Sequence, residues 1–329
     1  MNLKPLISSV LLLISSHVTS AADNWPSFQN GGTSRLDSDN VPLQWNSRDG
    51  IAWTFELAGY GQSTPVVWDD HVYVTSCSGQ MKDNLRITAL KLTSGEKIWD
   101  VKLANSSPEK NSNYISRAAP TPVADANGVI AFFEGGNVIA LNHDGSALWE
   151  RDLVQDYGPI SARHGLGSSL EQDGHYVFVW IERSESPYVL ALEKDTGKTV
   201  WKAAGVGKTT WSSPRLVSVG DGQHLVLSAS GRIMGLEPKT GEQLWILEDV
   251  AYNTVATPMP LGEGRFLVGA SEGRGEEPAA GSAKSNGVVQ IRKEEDGKFK
   301  AGYQWRATKA TSSFGSPILA GNNAYFVTN

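Results

Sequence analysis

Five side chains of types that commonly bind ligands stand at the same position in successive units of a sequence repeat. Each stands just before a short apolar segment that begins with Ser or Thr. They are Gln62, Arg117, His164, Trp211 and Asn253. Cationic, hydrogen-bonding and aromatic groups that converge on one point suit a small polar or anionic ligand. A ring of solvated side chains without a dedicated ligand is the competing interpretation.

The rest of the sequence offers no catalytic constellation and no metal-ligand pattern. Cys77 is the one cysteine and no base stands near it, so we interpret it as a structural thiol. The six histidines are scattered, with no two at zinc-ligand spacing within one element. We therefore predict no catalytic residue and no metal site.

Two further segments look functional and are better explained otherwise. Residues 205–209 resemble part of a phosphate-binding loop, but Lys202 stands where that loop requires Gly, and a strand follows instead of a helix. The acidic runs at 276–277 and 294–296 lie beside turns. We interpret them as solvated charges, because a glycosidase needs two carboxyls positioned across a cleft.

Composition and charge exclude some classes of protein. The chain of 329 residues carries a net charge of −6, with acids and bases interspersed. A nucleic-acid binder normally shows a basic patch or stripe, so we predict no nucleic-acid partner. The chain has 34 Gly and 11 Trp residues, which favours β-structure with many turns and large apolar anchors.

The first residues have the three parts of an export signal. Lys4 precedes a short apolar run at residues 6–15, and small residues follow. We predict a signal peptide at 1–21, with cleavage near Ala21 or Ala22 and a periplasmic or extracellular mature protein. No apolar run reaches the roughly 20 residues of a membrane span. Cys77 is too far along the chain to carry an anchoring lipid, so we do not expect a lipoprotein.

One sequence phrase organises residues 51–329. It has a small residue, a turn and a closing Trp, as in Ala-Leu-Glu-Lys-Asp-Thr-Gly-Lys-Thr-Val-Trp at 191–201. Copies run at 89–99, 140–149 and 235–245, with a weaker one at 290–305. A Ser/Thr-Pro segment, replaced by Ser169-Leu170 in the third unit, and an aromatic or β-branched strand precede each copy. We predict an all-β propeller of four-stranded antiparallel blades, with strands A to D, five complete blades and a partial sixth.

The repeat also assigns the loops to two faces. The long, irregular loops are all D-to-A or B-to-C connections: 76–84, 104–119, 154–167, 182–187 and 271–286. We call the face that carries them the working face, and the face with the short A-to-B and C-to-D turns the plain face. Variable loops on a rigid scaffold are where function is usually found. The residues before strand A would surround the axial mouth of the working face, and they also include Tyr60, Tyr114, Arg163, Thr210, Tyr252, Ser313 and Phe314.

The phrase at 191–201 resembles the repeat of pyrroloquinoline-quinone-type (PQQ-like) β-propellers. The polar lead-in at 22–50, with Trp25 and Trp45 as expected anchors, is similar to that of exported PQQ-like repeat proteins of planctomycete-type bacteria. The superfamily includes quinoprotein dehydrogenases and outer-membrane assembly lipoproteins. Its dehydrogenases use a vicinal Cys pair, a stacking Trp and acidic residues around calcium. This chain offers Trp211 but one Cys and no acidic mouth residue, so we predict no cofactor, with PQQ and calcium as the less favoured alternative.

Two functional hypotheses follow. The first is an exported scaffold that binds a protein or polymer partner on the working face without catalysis. The second is a quinoprotein-like oxidoreductase or another small-ligand enzyme at the axial mouth. The sixth unit contains only strands A and B at 315–328, and Trp53 could belong to a closing strand D. We expect the propeller to continue or to be incomplete at this end.

Overall fold

A computed structural model describes residues 24–35, 43–46, 48–207, 210–229, 231–271, 285–310, 312 and 314–327. The predicted signal peptide, Ser313, part of the 205–209 segment and the acidic pair at 276–277 lie outside the described residues. Among the helices that are described, none is long and apolar enough to cross a membrane.

The five predicted blades are present as five four-stranded antiparallel sheets, so the predicted fold is confirmed. Blade 1 contains β1 (Val66–Trp68), β2 (His71–Ser78), β3 (Asn84–Lys91) and β4 (Lys97–Ala104). Blade 2 contains β5 (Val123–Asp125), β6 (Gly128–Phe132), β7 (Asn137–Leu141) and β8 (Ala147–Asp152). A short helix α1 (Leu153–Tyr157), which the sequence pattern did not predict, follows β8 and is capped by Asp152.

The remaining blades repeat the same order. Blade 3 contains β9 (Glu171–Gln172), β10 (Tyr176–Ile181), β11 (Tyr188–Glu193) and β12 (Thr199–Ala204). Blade 4 contains β13 (Arg215–Val219), β14 (Gly222–Ala229), β15 (Arg232–Leu236) and β16 (Gln243–Leu247). Blade 5 contains β17 (Met259–Gly262), β18 (Arg265–Val268), β19 (Gly287–Lys293) and β20 (Phe299–Arg306). The predicted partial blade is the two-stranded sheet of β21 (Ile318–Ala320) and β22 (Asn323–Tyr325).

The blades are apolar on both faces, and each face packs on a neighbour. The side chains of β6 and β7 point alternately to the two faces of blade 2. Val129 and Ile139 pack in a cluster with blade 1, whereas Ile130 and Val138 pack in a cluster with blade 3. Two further clusters join blades 3 and 4 and blades 4 and 5. This burial on both faces explains why one sheet is not stable alone and why the unit is repeated.

The closing Trp of a blade docks on the turn of the next blade. The ring of Trp201 lies where a Cβ on Gly241 would stand, at 2.5 Å, and its Nε1–H donates to the carbonyl of Pro238 at 2.8 Å. Trp99 and Trp149 make the same contacts with the following blades. A Gly in a left-handed conformation is therefore required in the turn by its φ and by the indole above it.

Trp53 docks in the same way on blade 1, where it donates to the carbonyl of Leu92 and covers Gly95. Trp53 thus takes the place of a strand-D tryptophan, as the sequence suggested, although residues 51–57 form no strand. Trp245 differs, because its Nε1–H donates to His224 of its own blade while the outer strands β16 and β20 lie side by side.

The first residue of the phrase is small because it faces the Trp across the sheet. Ala191 pairs with Trp201, and a bulge follows directly after it. Ala89, Ala140 and Gly235 stand at the same place opposite their own tryptophans, each followed by a bulge. The spacing from small residue to Trp is therefore set by the register of strands C and D.

The lead-in lies against the inner strands, not on the outer surface. Trp25 exchanges two backbone hydrogen bonds of 2.9 Å with Val67 in β1, and the carbonyl of Pro26 accepts from Ala124 in β5. Strand A of each blade lines the axis, as expected, since β1 contacts β5 and β13 contacts both β9 and β17. The segment at 24–35 therefore runs across the axial end of the blades.

A buried ion pair holds this segment. Arg215 of β13 is fully buried and pairs with Glu171 of β9, with Nη1 and Oε2 at 3.1 Å. Its Nη2 donates to the carbonyl of Phe28 at 2.8 Å, and its guanidinium lies over the Phe28 ring. The prediction that Trp45 also anchors the lead-in is wrong, because that side chain is 67% exposed.

Candidate functional site

A ring of hydroxyl groups fixes the start of every strand A. The backbone N–H of Ser169 donates to the hydroxyl of Ser213 at 3.0 Å, and that of Ser213 donates to Thr257 at 2.9 Å. The same bond links Thr64 to Thr121, Thr121 to Ser169, and Thr257 to Ser316. The Ser or Thr that begins each strand A is thus a link between neighbouring blades, and it holds the preceding mouth residues in place.

Gln62 and Arg117 meet at the mouth between blades 1 and 2. The Oε1 of Gln62 accepts from the backbone N–H of Arg117 at 2.8 Å. The guanidinium of Arg117 lies 4.9 Å from the centre of the Tyr60 ring, and its Nη2 donates to the carbonyl of Ser112 and to Oδ1 of Asn113. These polar groups brace the loop at 104–119 while the Tyr60 ring stays half-exposed.

His164 and Trp211 form a second pair, with ring centres 5.9 Å apart. The Nδ1 of His164 lies 3.2 Å from the carbonyl of Tyr114, which links this pair to the first one. The Trp211 indole donates to the carbonyl of Gly165 and lies against Gly167. Four of the five predicted residues therefore lie on a continuous rim made by the D-to-A loops.

Asn253 has a different environment. It is fully buried, its Oδ1 accepts from the N–H of Gly231, and its Nδ2 donates to the Ser228 hydroxyl and the Arg232 carbonyl. These bonds fix the turn between β14 and β15. The Asn253 side chain is thus used inside the protein, beneath the rim.

A buried charge cluster beneath the rim was not recognised from the sequence. Lys82 is 2% exposed, and its Nζ lies 3.4 Å from Glu134 and 3.5 Å from Glu109. Beside it, burial and the charge of Glu134 raise the pKa of Cys77 to about 11. The thiol therefore stays protonated at neutral pH, as suits a structural residue.

Glu182 occupies in blade 3 the place that Glu134 occupies in blade 2. It is 1% exposed, and neither carboxyl oxygen completes a hydrogen bond of normal geometry with the described residues. Burial raises its pKa to about 8, and the nearby N–H groups of Gly207, Trp180 and Val206 offset this only in part. The sequence signal that could have found these two glutamates is an apolar strand B followed closely by Glu in both blades.

The mouth residues do not fit PQQ with calcium. Calcium takes six to eight oxygen ligands, usually with several carboxylates. Among the described residues of the rim, Trp211 has no acidic neighbour, and the amide of Asn253 is bonded internally. In the described part of the chain, no three His, Cys, Asp or Glu side chains come together as a metal-binding group.

Comparison with known proteins gives the family. The sequence profile of the PQQ-like family described as "Outer membrane protein assembly factor BamB" matches residues 43–158 and 160–329. The chain belongs to this family. Over 193 residues it is 24% identical to BamB of Salmonella typhimurium, a match that covers 58% of this chain and 44% of that protein. The chain thus spans less than half the length of the curated relatives it matches.

Solved structures agree on the fold of this BamB-like chain. BamB from Moraxella catarrhalis matches with a TM-score of 0.53 and 18% identity, over 84% of this chain and 72% of that one. Quinohemoprotein alcohol dehydrogenase from Comamonas testosteroni matches with a TM-score of 0.55 and 14% identity, over 92% and 56%. Identities this low show the shared propeller architecture alone, since one fold carries many functions.

Proposed function

We propose that this BamB-like chain is an exported scaffold that holds a protein partner on its working face. The matched relatives are named as assembly factors for outer membrane proteins, which favours a protein over another polymer. The sequence pattern at residues 1–21 supports export to the periplasm or the extracellular space.

The observation that carries the proposal is the aromatic rim of the working face. Tyr114 is 81% exposed and Tyr60 is 52% exposed, and Arg117 lies over the Tyr60 ring, braced by its loop. Tyrosine and arginine are enriched where protein interfaces have their strongest contacts. The Tyr60 ring, held by Arg117 before binding, loses little conformational entropy when a partner covers it.

A groove on the same face extends this surface. It is lined by Tyr157, Gly158 and Pro159 after α1 and by residues 183–186 of the next B-to-C loop. Arg183 crosses it, donating to the carbonyls of Tyr157, Gly158 and Pro159. The loops of neighbouring blades thus form one continuous surface on which an extended segment of a partner fits.

Site-specific crosslinking tests this proposal. A photoreactive aromatic amino acid replaces Tyr114 in the full chain, in cells that export it, and the control replaces Val200, which is 44% exposed on an outer strand. We expect light-dependent adducts with a defined protein at position 114 that are missing at position 200. The scaffold proposal fails if both positions give the same adducts or if position 114 gives none.

A second experiment separates the scaffold from the axial enzyme hypothesis. Arg117→Ala combined with His164→Ala removes two side chains that an axial ligand would use but keeps both tyrosine rings of the rim, so we expect crosslinking at position 114 to be weakened but retained. Addition of PQQ with calcium should change neither the visible absorbance nor the melting temperature of the parent chain. A spectral change in the parent that the double variant lacks would support the axial ligand site instead.

A further inference from the structure

Two histidines meet on the plain face, between blades 1 and 2. His71 begins β2 directly after the A-to-B turn, and His143 lies in the C-to-D turn of the next blade. Their ring centres are 5.5 Å apart and their planes are inclined by 47°. The docking of Trp99 brings them together, because its indole donates to the backbone carbonyl of His143 at 2.7 Å.

This separation is one that a shared metal ion allows. Two imidazoles that bind one tetrahedral ion, with metal–nitrogen bonds of about 2.0–2.1 Å, have ring centres about 5–5.5 Å apart. His143 also has the supporting contact that metal-binding histidines usually show, because its Nδ1 is hydrogen-bonded to the hydroxyl of the buried Tyr73. With the proton on Nδ1, that bond leaves Nε2 free to bind a metal.

The surroundings of the pair suit a cation. Asp69 and Asp70 form the adjoining turn, and their negative charges act on His71. Among the described residues, the Asp70 carboxylate forms an exposed ion pair with Lys91, at 3.9 Å.

The next interface of the same type is built differently. Lys194 stands in blade 3 at the place of His143, since its carbonyl accepts the docking bond from Trp149. Its ammonium group pairs with Asp125 and donates to the carbonyl of Asp173. An ion pair thus joins blades 2 and 3 at the place where blades 1 and 2 have two imidazoles.

We propose that His71 and His143 together bind one borderline divalent transition metal ion, of the class of Zn²⁺, Ni²⁺ and Cu²⁺. Imidazole suits these metals, and Cu²⁺ binds most tightly of the three. Two protein nitrogens leave the other coordination positions to water. The site is an exchangeable one on the plain face, separate from the working face.

Titration of the purified full chain, free of any histidine tag, with CuCl₂ tests the site by electron paramagnetic resonance. We expect one Cu²⁺ per chain with splitting from two imidazole nitrogens. His71→Phe keeps a ring stacked on Tyr73 and should abolish this signal, as should His143→Ala. Tyr73→Phe should weaken binding by about tenfold to a hundredfold, because it removes the supporting hydrogen bond.

His175→Ala is the matched control, because His175 stands at the start of strand B in blade 3 and its closest aromatic neighbour is Tyr176. It should leave the signal unchanged. A spectrum that is the same in His71→Phe and in the parent would overturn the proposal. Imidazole NMR resonances of the parent during a Zn²⁺ titration give a check that needs no variant: the site is refuted if those of His71 and His143 are not the first to shift.

Discussion

Single residues buried under the working face show how environment separates identical side chains. Glu134 and Glu182 end strand B in neighbouring blades, and both are almost fully buried. Glu134 has the Lys82 ammonium beside it, whereas Glu182 has no cation among its described partners. Burial without a counter-charge disfavours the carboxylate, which is why the raised pKa is found at Glu182.

The Glu182 carboxyl should make the protein less stable as the pH rises. Its folded pKa, about 8, lies above its ordinary value, so the folded state binds more protons than the unfolded state between these two values. In that window this group lowers the free energy of unfolding by up to about 1.4 kcal/mol per pH unit. Glu182→Gln should remove this slope.

Urea denaturation between pH 5 and pH 9 measures the effect, with Glu248→Gln as an exposed control. The control should follow the parent, while Glu182→Gln should be more stable than the parent at the alkaline end. A parent and a Glu182→Gln variant with the same pH dependence would show that the carboxyl is ionised or solvated in the fold.

At the scale of elements, each blade ends in a hairpin of strands C and D, and the Trp of this hairpin packs on the next blade. Trp201 packs with Phe178 and is bonded to Pro238 of blade 4, so it joins two sheets at once. Trp305 has the same place in blade 5 but is 47% exposed. One sequence position thus has two structural environments, which allows a direct comparison.

Trp201→Ala should cost about 3–5 kcal/mol in the free energy of unfolding, as truncation of a buried aromatic side chain does. Trp305→Ala should cost less, because nearly half of that side chain already faces solvent. Chemical denaturation of both variants measures the difference. Equal losses would mean that the docking contact does not stabilise the interface between blades 3 and 4.

The hydroxyl at the start of strand A gives a second prediction at this scale. Ser213→Ala removes the acceptor of the buried Ser169 N–H, and an unpaired buried group costs about 1–3 kcal/mol. Ser213→Thr keeps the hydroxyl and should restore most of the loss. Thermal unfolding compares the two variants, with Ser212→Ala as the control, since that hydroxyl makes one long bond of 3.5 Å.

At the scale of the whole molecule, the lead-in at 24–35 connects blades that are far apart in sequence. It bonds to β1 and β5 through the backbone and to β13 through Arg215. Because strand A lines the axis, the segment covers the end of the axis nearer the plain face. The exposed aromatic rim and the variable loops are at the other end, where we place the partner.

Removal of one member of the axial ion pair should be more harmful than removal of both. Arg215→Met leaves the buried Glu171 carboxylate without its counter-charge, which should cost about 3–5 kcal/mol. Arg215→Met with Glu171→Met replaces the pair by apolar side chains and should recover much of this loss. Denaturation of both variants tests the idea, and a double variant that is less stable than Arg215→Met would contradict it.

The repeat could be predicted from the sequence because the residues that determine it lie close together in the chain. The spacing from Ala191 to Trp201 follows from strand register and turn length, and the Gly in each turn follows from the indole that covers it. Four of the five predicted mouth residues lie on the rim, because the order of strands in the repeat assigns the loops before strand A to one face. The signal peptide, the absence of a lipid anchor and the absence of a cofactor stay predictions.

By itself the sequence determined the blades, their strand order and the face on which the long loops lie, because these depend on residues close together in the chain. Only the tertiary structure decided which side chains meet between blades. It brought His71 to His143, gave Glu134 a lysine that is not among the described partners of Glu182, and placed Arg215 against Phe28. These contacts depend on how the sheets pack around the axis, and no local pattern encodes that geometry.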